Sequence, residues 1–365
     1  KRMNPDVATS GLNPLVHYLR HGQTEGRHPV PPNQVGAQGR PVTDSEIHLV
    51  KSPHFSRRAA LFVAHAPSGV LKPHVMHYLR ALKASGIAVT LLVAADRPFA
   101  APADLLSTVE GLYVRRNEGL DFAAWAHVLR LDATYYDVEI LYLLNDSLVG
   151  PFNQRELDQI VKRVDQSAAE VIGLTENYER AGWHLQSYFL ALKSRVLKSV
   201  VFQRFVRAVK VLDDKDEVIN QYELQMSPLL KRNGFACEAL FVSPGTSNPT
   251  IYRWHDLIRM KFPFIKVMTL RDTFPGVDIQ NWKEVLAERG FDTKLAEATL
   301  KEAKQPIAPD RESPLVPARK SRGAVRCIAF ISPFNFDNGL GAAGRSYISA
   351  MRRTGLNINL HPIKT

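Results

Sequence analysis

"RRAALFVAHAPSGVLKPHVMHYLRALKASGIAVTLLVA", residues 57–94, decides the fold. Its first nine residues form an apolar strand. Residues 72–86 then change period: Val75, Leu79 and Leu82 share one helical face, and Gly86 ends the run. Residues 87–94 return to an apolar stretch of strand length. Two buried strands joined by one helix lie parallel, because a parallel pair needs a crossover of this size.

The same alternation continues outward. Residues 112–117 read as a third strand, 121–131 as a helix and 138–146 as a fourth strand. The pattern predicts an α/β fold, a Rossmann-like doubly wound and mostly parallel sheet, with ligands at the carboxyl ends of the strands. Three polar groups fall at those ends: His65-Ala66-Pro67-Ser68, the loop from Asn117 to Asp121, and Asn145-Asp146-Ser147. Further on, residues 169–197 read as a strand, a polar loop, a strand from about Gln186 to Leu192, and a helix. Residues 218–235 read as a polar entry and a helix, with Leu224, Leu229 and Leu230 available to the core.

Composition narrows the function. The chain has 365 residues and a net charge of +11, and 45% of it is apolar. The charge sits at the ends: +4 over residues 1–58, +7 over 301–365, and zero between. A nucleic-acid-binding core needs clustered Lys and Arg, so that class is excluded for the middle. The basic ends suit either solvated linkers or peripheral contact with an anionic membrane face. No apolar run approaches a bilayer span. Cys237 and Cys327 fit no metal or redox spacing and read as reduced, buried thiols of a cytoplasmic protein. No signal peptide is legible, and Lys1 is not an initiator Met, so residues are expected before it.

The polar strand end with most to say is "LYLLNDSLVGPF", residues 141–152. An apolar strand there delivers Asp146 to its end. Such a carboxylate suits a site for magnesium or manganese and a diphosphate, where one or two carboxylates and the substrate's phosphates fill the shell. It equally suits a cap for the next helix. His74 and His77, at i and i+3, have a spacing that zinc uses, but no third ligand accompanies them.

Taken together, "LFVAHAPSGVLKPHVMHYLRALKASG", "RRNEGLDFAAWAHVL", "ILYLLNDSLVGPF", "LTENYERAGWHLQSYFLALKSRVL", "YELQMSPLLKRNGF", "NPTIYRWHDLI" and "FPFIKVMTLRD" strongly resemble the rhamnan synthesis protein F family. The match runs in order over residues 57–272, about three fifths of the chain. The resemblance implies a GT-A-like glycosyltransferase of bacterial cell-surface polysaccharide or lipopolysaccharide. It would move a sugar, such as rhamnose or another deoxyhexose, from a nucleotide-diphosphate donor to a growing glycan or lipid-linked glycan.

The resemblance also implies roles. Asn117, Gly119 and Asp121 would meet the nucleotide, with glycine allowing close backbone approach. Asp121 equally suits a helix N-cap. Asn145 and Asp146 stand where GT-A nucleotide-sugar transferases commonly carry Asp-x-Asp, so one carboxylate is missing. His65 would meet the donor, and His184, Gln186 and Ser187 the acceptor. Glu223 would be the general base of an inverting transfer, or a helix-start carboxylate that complements the macrodipole. His255 would join Asp146 on a divalent cation, Mn or Mg; otherwise Asn145 or positive side chains would take that work. The alternative function is a non-catalytic GT-A-like scaffold or glycan-binding domain.

The ends carry their own resemblances. Residues 4–29 are similar to a short helical repeat found beside bacterial glycosyltransferase domains. Residues 327–363 are similar to the opening βαβ of a GT-B glycosyltransferase, with a Gly339-Leu340-Gly341 turn. The expected organisation is a helical repeat at 1–30, a linker at 31–56, the GT-A-like domain at 57–300, a linker at 301–325, and the start of a second glycosyltransferase domain at 326–365.

Overall fold

The computed structural model of the protein describes residues 7, 14–17, 21, 39–178, 182–245, 247–302 and 314–316. The expected GT-B start and Cys327 lie outside the described residues, as does most of the N-terminal repeat.

One nine-stranded sheet organises the rest. Its strands are β1 (Ile47–Lys51), β2 (Arg58–His65), β3 (Ala88–Ala95), β4 (Gly111–Arg116), β5 (Ile140–Asn145), β6 (Val171–Asn177), β7 (His184–Leu185), β8 (Phe189–Lys193) and β9 (Cys237–Phe241). The order across the sheet is β9-β6-β8-β5-β2-β3-β4-β1, with β7 paired to β6. The centre, β5-β2-β3-β4, is parallel throughout. Strand β8 runs antiparallel between β5 and β6, with Phe189 opposite Leu144. This is the α/β architecture expected, with parallel strands at its centre and helices on both faces.

Side-chain alternation explains why the sheet is covered on both faces. In β2, Ala59, Leu61 and Val63 enter one core, while Ala60, Phe62 and Ala64 enter the other. Helix α1 (Pro73–Ala84) and α2 (Leu120–Leu131) then cover opposite faces. Val75, Tyr78, Leu79 and Leu82 of α1 pack on the second core, and Phe122, Trp125 and Leu129 of α2 on the first. Helix α3 (Gln154–Gln166) joins α1 through Leu157, Ile160 and Val164.

Two boundaries move. Residues 31–56 were expected as a linker, yet Arg40–Pro41 pairs with Lys210–Val211, and β1 forms the sheet edge beside β4. The strand escaped notice because edge exposure breaks its alternation: within β1 only Ile47 is buried. In the stretch expected as a linker at 301–325, Leu315 is fully buried in the second core, and its carbonyl accepts from Phe99 N–H at 2.7 Å.

The later segments also differ in detail. The strand expected from Gln186 begins at Phe189, so Gln186, Ser187 and Tyr188 stand before it. The helix of residues 218–235 is α4 (Leu224–Arg232), entered through a wide π turn at Ile219–Glu223. A small third core under the following helices holds Trp254, Ile258, Trp282 and Leu286. Among the described residues, no helix is long and apolar enough to cross a membrane.

Candidate functional site

The carboxyl ends of the parallel strands open onto a cleft of about 650 Å³. His65, Asn117, Asp121, Asn145, Asp146, His184, Gln186 and Glu223 all line it. With Ser187, which lines it too, nine of the eleven residues given roles in the sequence thus meet in one place, although they span about 160 positions.

Asp146 sits at its centre. The carboxylate Oδ2 accepts from His65 N–H at 3.1 Å and from the Lys72 ammonium at 2.7 Å. Burial alone would raise its pKa, but Lys72, His74 and His65 outweigh burial and hold it below the usual carboxylate range. Its backbone is fixed from below: His74 Nε2 donates to the Asp146 carbonyl at 2.9 Å, and His77 Nε2 to the Pro151 carbonyl at 2.8 Å. Burial pushes His74 down to about 4, so the ring is neutral at pH 7. The histidine pair with zinc-like spacing therefore clips the Asp146 turn to α1.

Asn145 has both ends of its amide engaged. Its Nδ2 donates to Asp121 Oδ2 at 2.5 Å, and its Oδ1 accepts from Ser147 N–H at 3.0 Å. Asp121 is pushed up to about 6, first by burial, then by the neighbouring Asp146 carboxylate, with Glu223 adding to it. Asn117 turns its amide onto Asp96, at 2.9 Å.

Gly119 is the N-cap of α2 in the left-handed region, with φ of 69°. A Cβ there would stand 2.6 Å from Ala123 Cβ and 3.0 Å from Val211 Cα. Close approach is thus to the strand residue Val211, not to the cleft, and Gly119 rather than Asp121 occupies the cap. Its neighbour Leu120 lines the cleft instead, at φ 55°.

The opposite wall comes from β6–β8 and the π turn. Glu223 Oε1 accepts from Ser187 N–H at 3.2 Å. Gln186 is buried, accepts from Thr175 Oγ1 at 2.7 Å and donates to Asn248 at 3.3 Å. His184 Nδ1 donates to the Gly182 carbonyl at 3.1 Å.

His255 is not part of this assembly. It is half-buried, its ring centroid lies 3.5 Å from that of Trp254, it faces Asn281 and it does not line the cleft. Its neighbour Trp254 is buried in the third core.

Asp146 is also not presented as an open cation ligand. Among the described residues, no group of three or more His, Cys, Asp or Glu is arranged to hold one. Lys72 stands on Asp146, the carboxylate expected from the sequence to hold the cation.

Sequence reading missed Lys72, Lys215, Lys266 and Arg271, which line the cleft. Lys266 and Arg271 lie in the quoted "FPFIKVMTLRD". Ile265–Lys266 pairs with Leu148–Val149, and Val267 N–H donates to Ser147 O at 2.8 Å, which brings Lys266 beside the Asp146 turn.

Among curated proteins, an uncharacterized protein y4gN of Sinorhizobium fredii is 24% identical over 214 residues, 57% of this chain and 53% of that protein. Virulence protein VirA of Vibrio anguillarum is 25% identical over 209 residues, 47% of this chain and 66% of that protein. The chain thus spans between about half and two thirds of the length of these relatives.

Similar solved structures include the glycosyltransferase GlyE of Streptococcus pneumoniae, at 11% identity and a TM-score of 0.36, covering 69% of this chain and 67% of that one. The mannosyltransferase PcManGT of Pyrobaculum calidifontis, solved with GDP-Man and Mn2+, has 13% identity and a TM-score of 0.29, covering 84% and 87%. The family described as rhamnan synthesis protein F matches residues 100–306, more than half of the chain. The chain belongs to the rhamnan synthesis protein F family, a family of glycosyltransferase type.

Proposed function

We propose that the chain transfers a sugar, a deoxyhexose such as rhamnose, from a nucleoside-diphosphate donor to a growing cell-surface glycan. The observation that supports this most is the convergence of Asn117, Asp121, Asn145 and Asp146 from strand ends with His184, Gln186 and Glu223 from the facing wall. A cleft of about 650 Å³ suits one nucleotide sugar and the end of an acceptor.

In this reading the strand-end wall, with His65, Asn117 and Asp121, receives the nucleoside, and the Asp146 turn receives the diphosphate. The acceptor hydroxyl enters along His184 and Gln186. Its oxygen attacks the anomeric carbon while the bond to the diphosphate oxygen breaks, and the electron pair leaves with the nucleoside diphosphate. Glu223 takes the hydroxyl proton. A single displacement inverts the anomeric centre. The glycan is met at the cytoplasmic face of the membrane, where lipid-linked acceptors are extended, and other glycosyltransferase domains of the same protein act on it in turn.

The test is calorimetric titration with dTDP, UDP and GDP, followed by turnover with the sugar nucleotide whose base binds. One nucleotide is expected to bind. Glu223→Gln is expected to keep that affinity within about threefold and to lose about 10²–10⁴ in kcat. Full turnover by the variant would remove Glu223 from the mechanism. A folded protein that binds no nucleotide would favour a scaffold that leaves the chemistry to other domains.

A further inference from the structure

We propose that the Lys72 ammonium, held on Asp146, stands where a divalent cation would, so that the donor diphosphate is bound and its developing charge met by protein cations alone. This rests on the nucleotide-sugar reading above.

The first argument is occupancy. Lys72 Nζ lies 2.7 Å from Asp146 Oδ2, with side-chain exposures of only 18% and 11%. The same oxygen also accepts from His65 N–H. A metal ion would have to displace the ammonium from its carboxylate and leave the displaced charge beside it. At partly buried sites, like charges a few ångströms apart repel strongly, because little water screens them.

The second argument is the missing ligand. Asn145 occupies the other position of the pair, and its amide is committed at both ends, to Asp121 and to Ser147 N–H. Rotating it toward an ion would break both bonds. Asp121 is itself tied to Asn145, and His255 lies outside the cleft.

The third argument is supply. An ammonium has three N–H donors, of which Asp146 takes one. Lys266 is the register partner of Leu148, two residues after Asp146, and Lys215 and Arg271 line the same cleft. Phosphate oxygens bind such donors through charge-assisted hydrogen bonds. Asp146 then serves to place Lys72, and no ligand contact of its own is required. The leaving nucleoside diphosphate gains charge as the sugar bond breaks, and a fixed ammonium meets that charge without reorganisation.

Titration of the whole chain with UDP, dTDP and GDP, in EDTA and in excess Mn2+, tests this. The nucleotide that binds is expected to do so equally, within about twofold, in both conditions. Lys72→Met is expected to weaken it at least about tenfold. Asp146→Asn keeps the ammonium and leaves an amide oxygen that can still accept from it, so binding without metal is expected to persist and to be weakened less than in Lys72→Met. A metal ligand would instead be indispensable. Because Lys72→Met leaves a buried carboxylate unpaired, the double variant Lys72→Met with Asp146→Asn is measured beside it, and the same loss is expected.

Binding that requires Mn2+ and disappears in Asp146→Asn would overturn the proposal while leaving the transferase reading intact. Metal-free binding unchanged by Lys72→Met would overturn the role of Lys72 alone. No binding by folded wild-type protein would overturn both.

Discussion

Asp121 shows how a single residue can serve the site against the fold. Its carboxyl is pushed from an ordinary value of 3.8 to about 6 by burial and by Asp146. A pKa raised on folding means that the native state holds the extra proton between pH 4 and 6. Stability from this group is therefore lost as pH rises through that window, and the full cost stands at pH 7. Asn mimics the protonated acid. We expect Asp121→Asn to be more stable than wild type by about 1–3 kcal/mol at pH 7.5 and equal to it near pH 4, read by thermal unfolding at both. Donor affinity should fall in the same variant. Asp146 was legible because a carboxylate after an apolar strand is a local pattern. Lys72 was not, because its partner is 74 positions away and a Lys at a helix start looks like any solvated Lys. His255 was misplaced because order along the chain carries no distance.

At the scale of elements, α1 does more than cover the sheet. Its two histidines tie the turn after β5 down onto the helix, and His74 also meets Thr299 of the helix Thr293–Glu302 at 3.1 Å. Removing His74 orphans the Asp146 carbonyl. His74→Ala is expected to cost about 2–4 kcal/mol, from an unmade buried hydrogen bond and a cavity. It should also weaken nucleotide binding, as calorimetry would show, because the turn that receives the diphosphate loses its tie to α1. His74→Gln, which retains a donor, should restore part of the affinity; a purely space-filling His74 would show no such rescue. The strands and helices of the βαβ run were readable because their periods of 2 and 3.6 are distinct. The wide turn at Ile219–Glu223 was not, because no composition marks a π turn, and the Leu224 N–H bond to the Ile219 carbonyl exists only once the helix is formed. Such turns recur where a helix must present a side chain off its regular face, and here that side chain is Glu223.

The whole molecule is closed by contacts far apart in sequence. Leu315 fills the second core and pairs its carbonyl with Phe99, so residues after the last described helix belong to the domain. Leu315→Ala should cost about 2–4 kcal/mol in urea unfolding. A residue in a true linker would cost nothing. The sheet order was legible at its centre, where apolar runs and crossovers leave little choice. Its edges were not, because β1 is half exposed and β8 gives no sign that it runs backwards. That reversal has a consequence for size. Strand β8 enters the sheet at the edge where its parallel neighbours leave it, so His184 to Tyr188 form a jaw facing the one that carries Asp146. The two jaws are joined by one register, Phe189 against Leu144. The gap between them is a calliper whose setting moves only in backbone steps of about 3.4 Å. Whatever finer fitting to one sugar or another occurs has to be made by side chains at the tips.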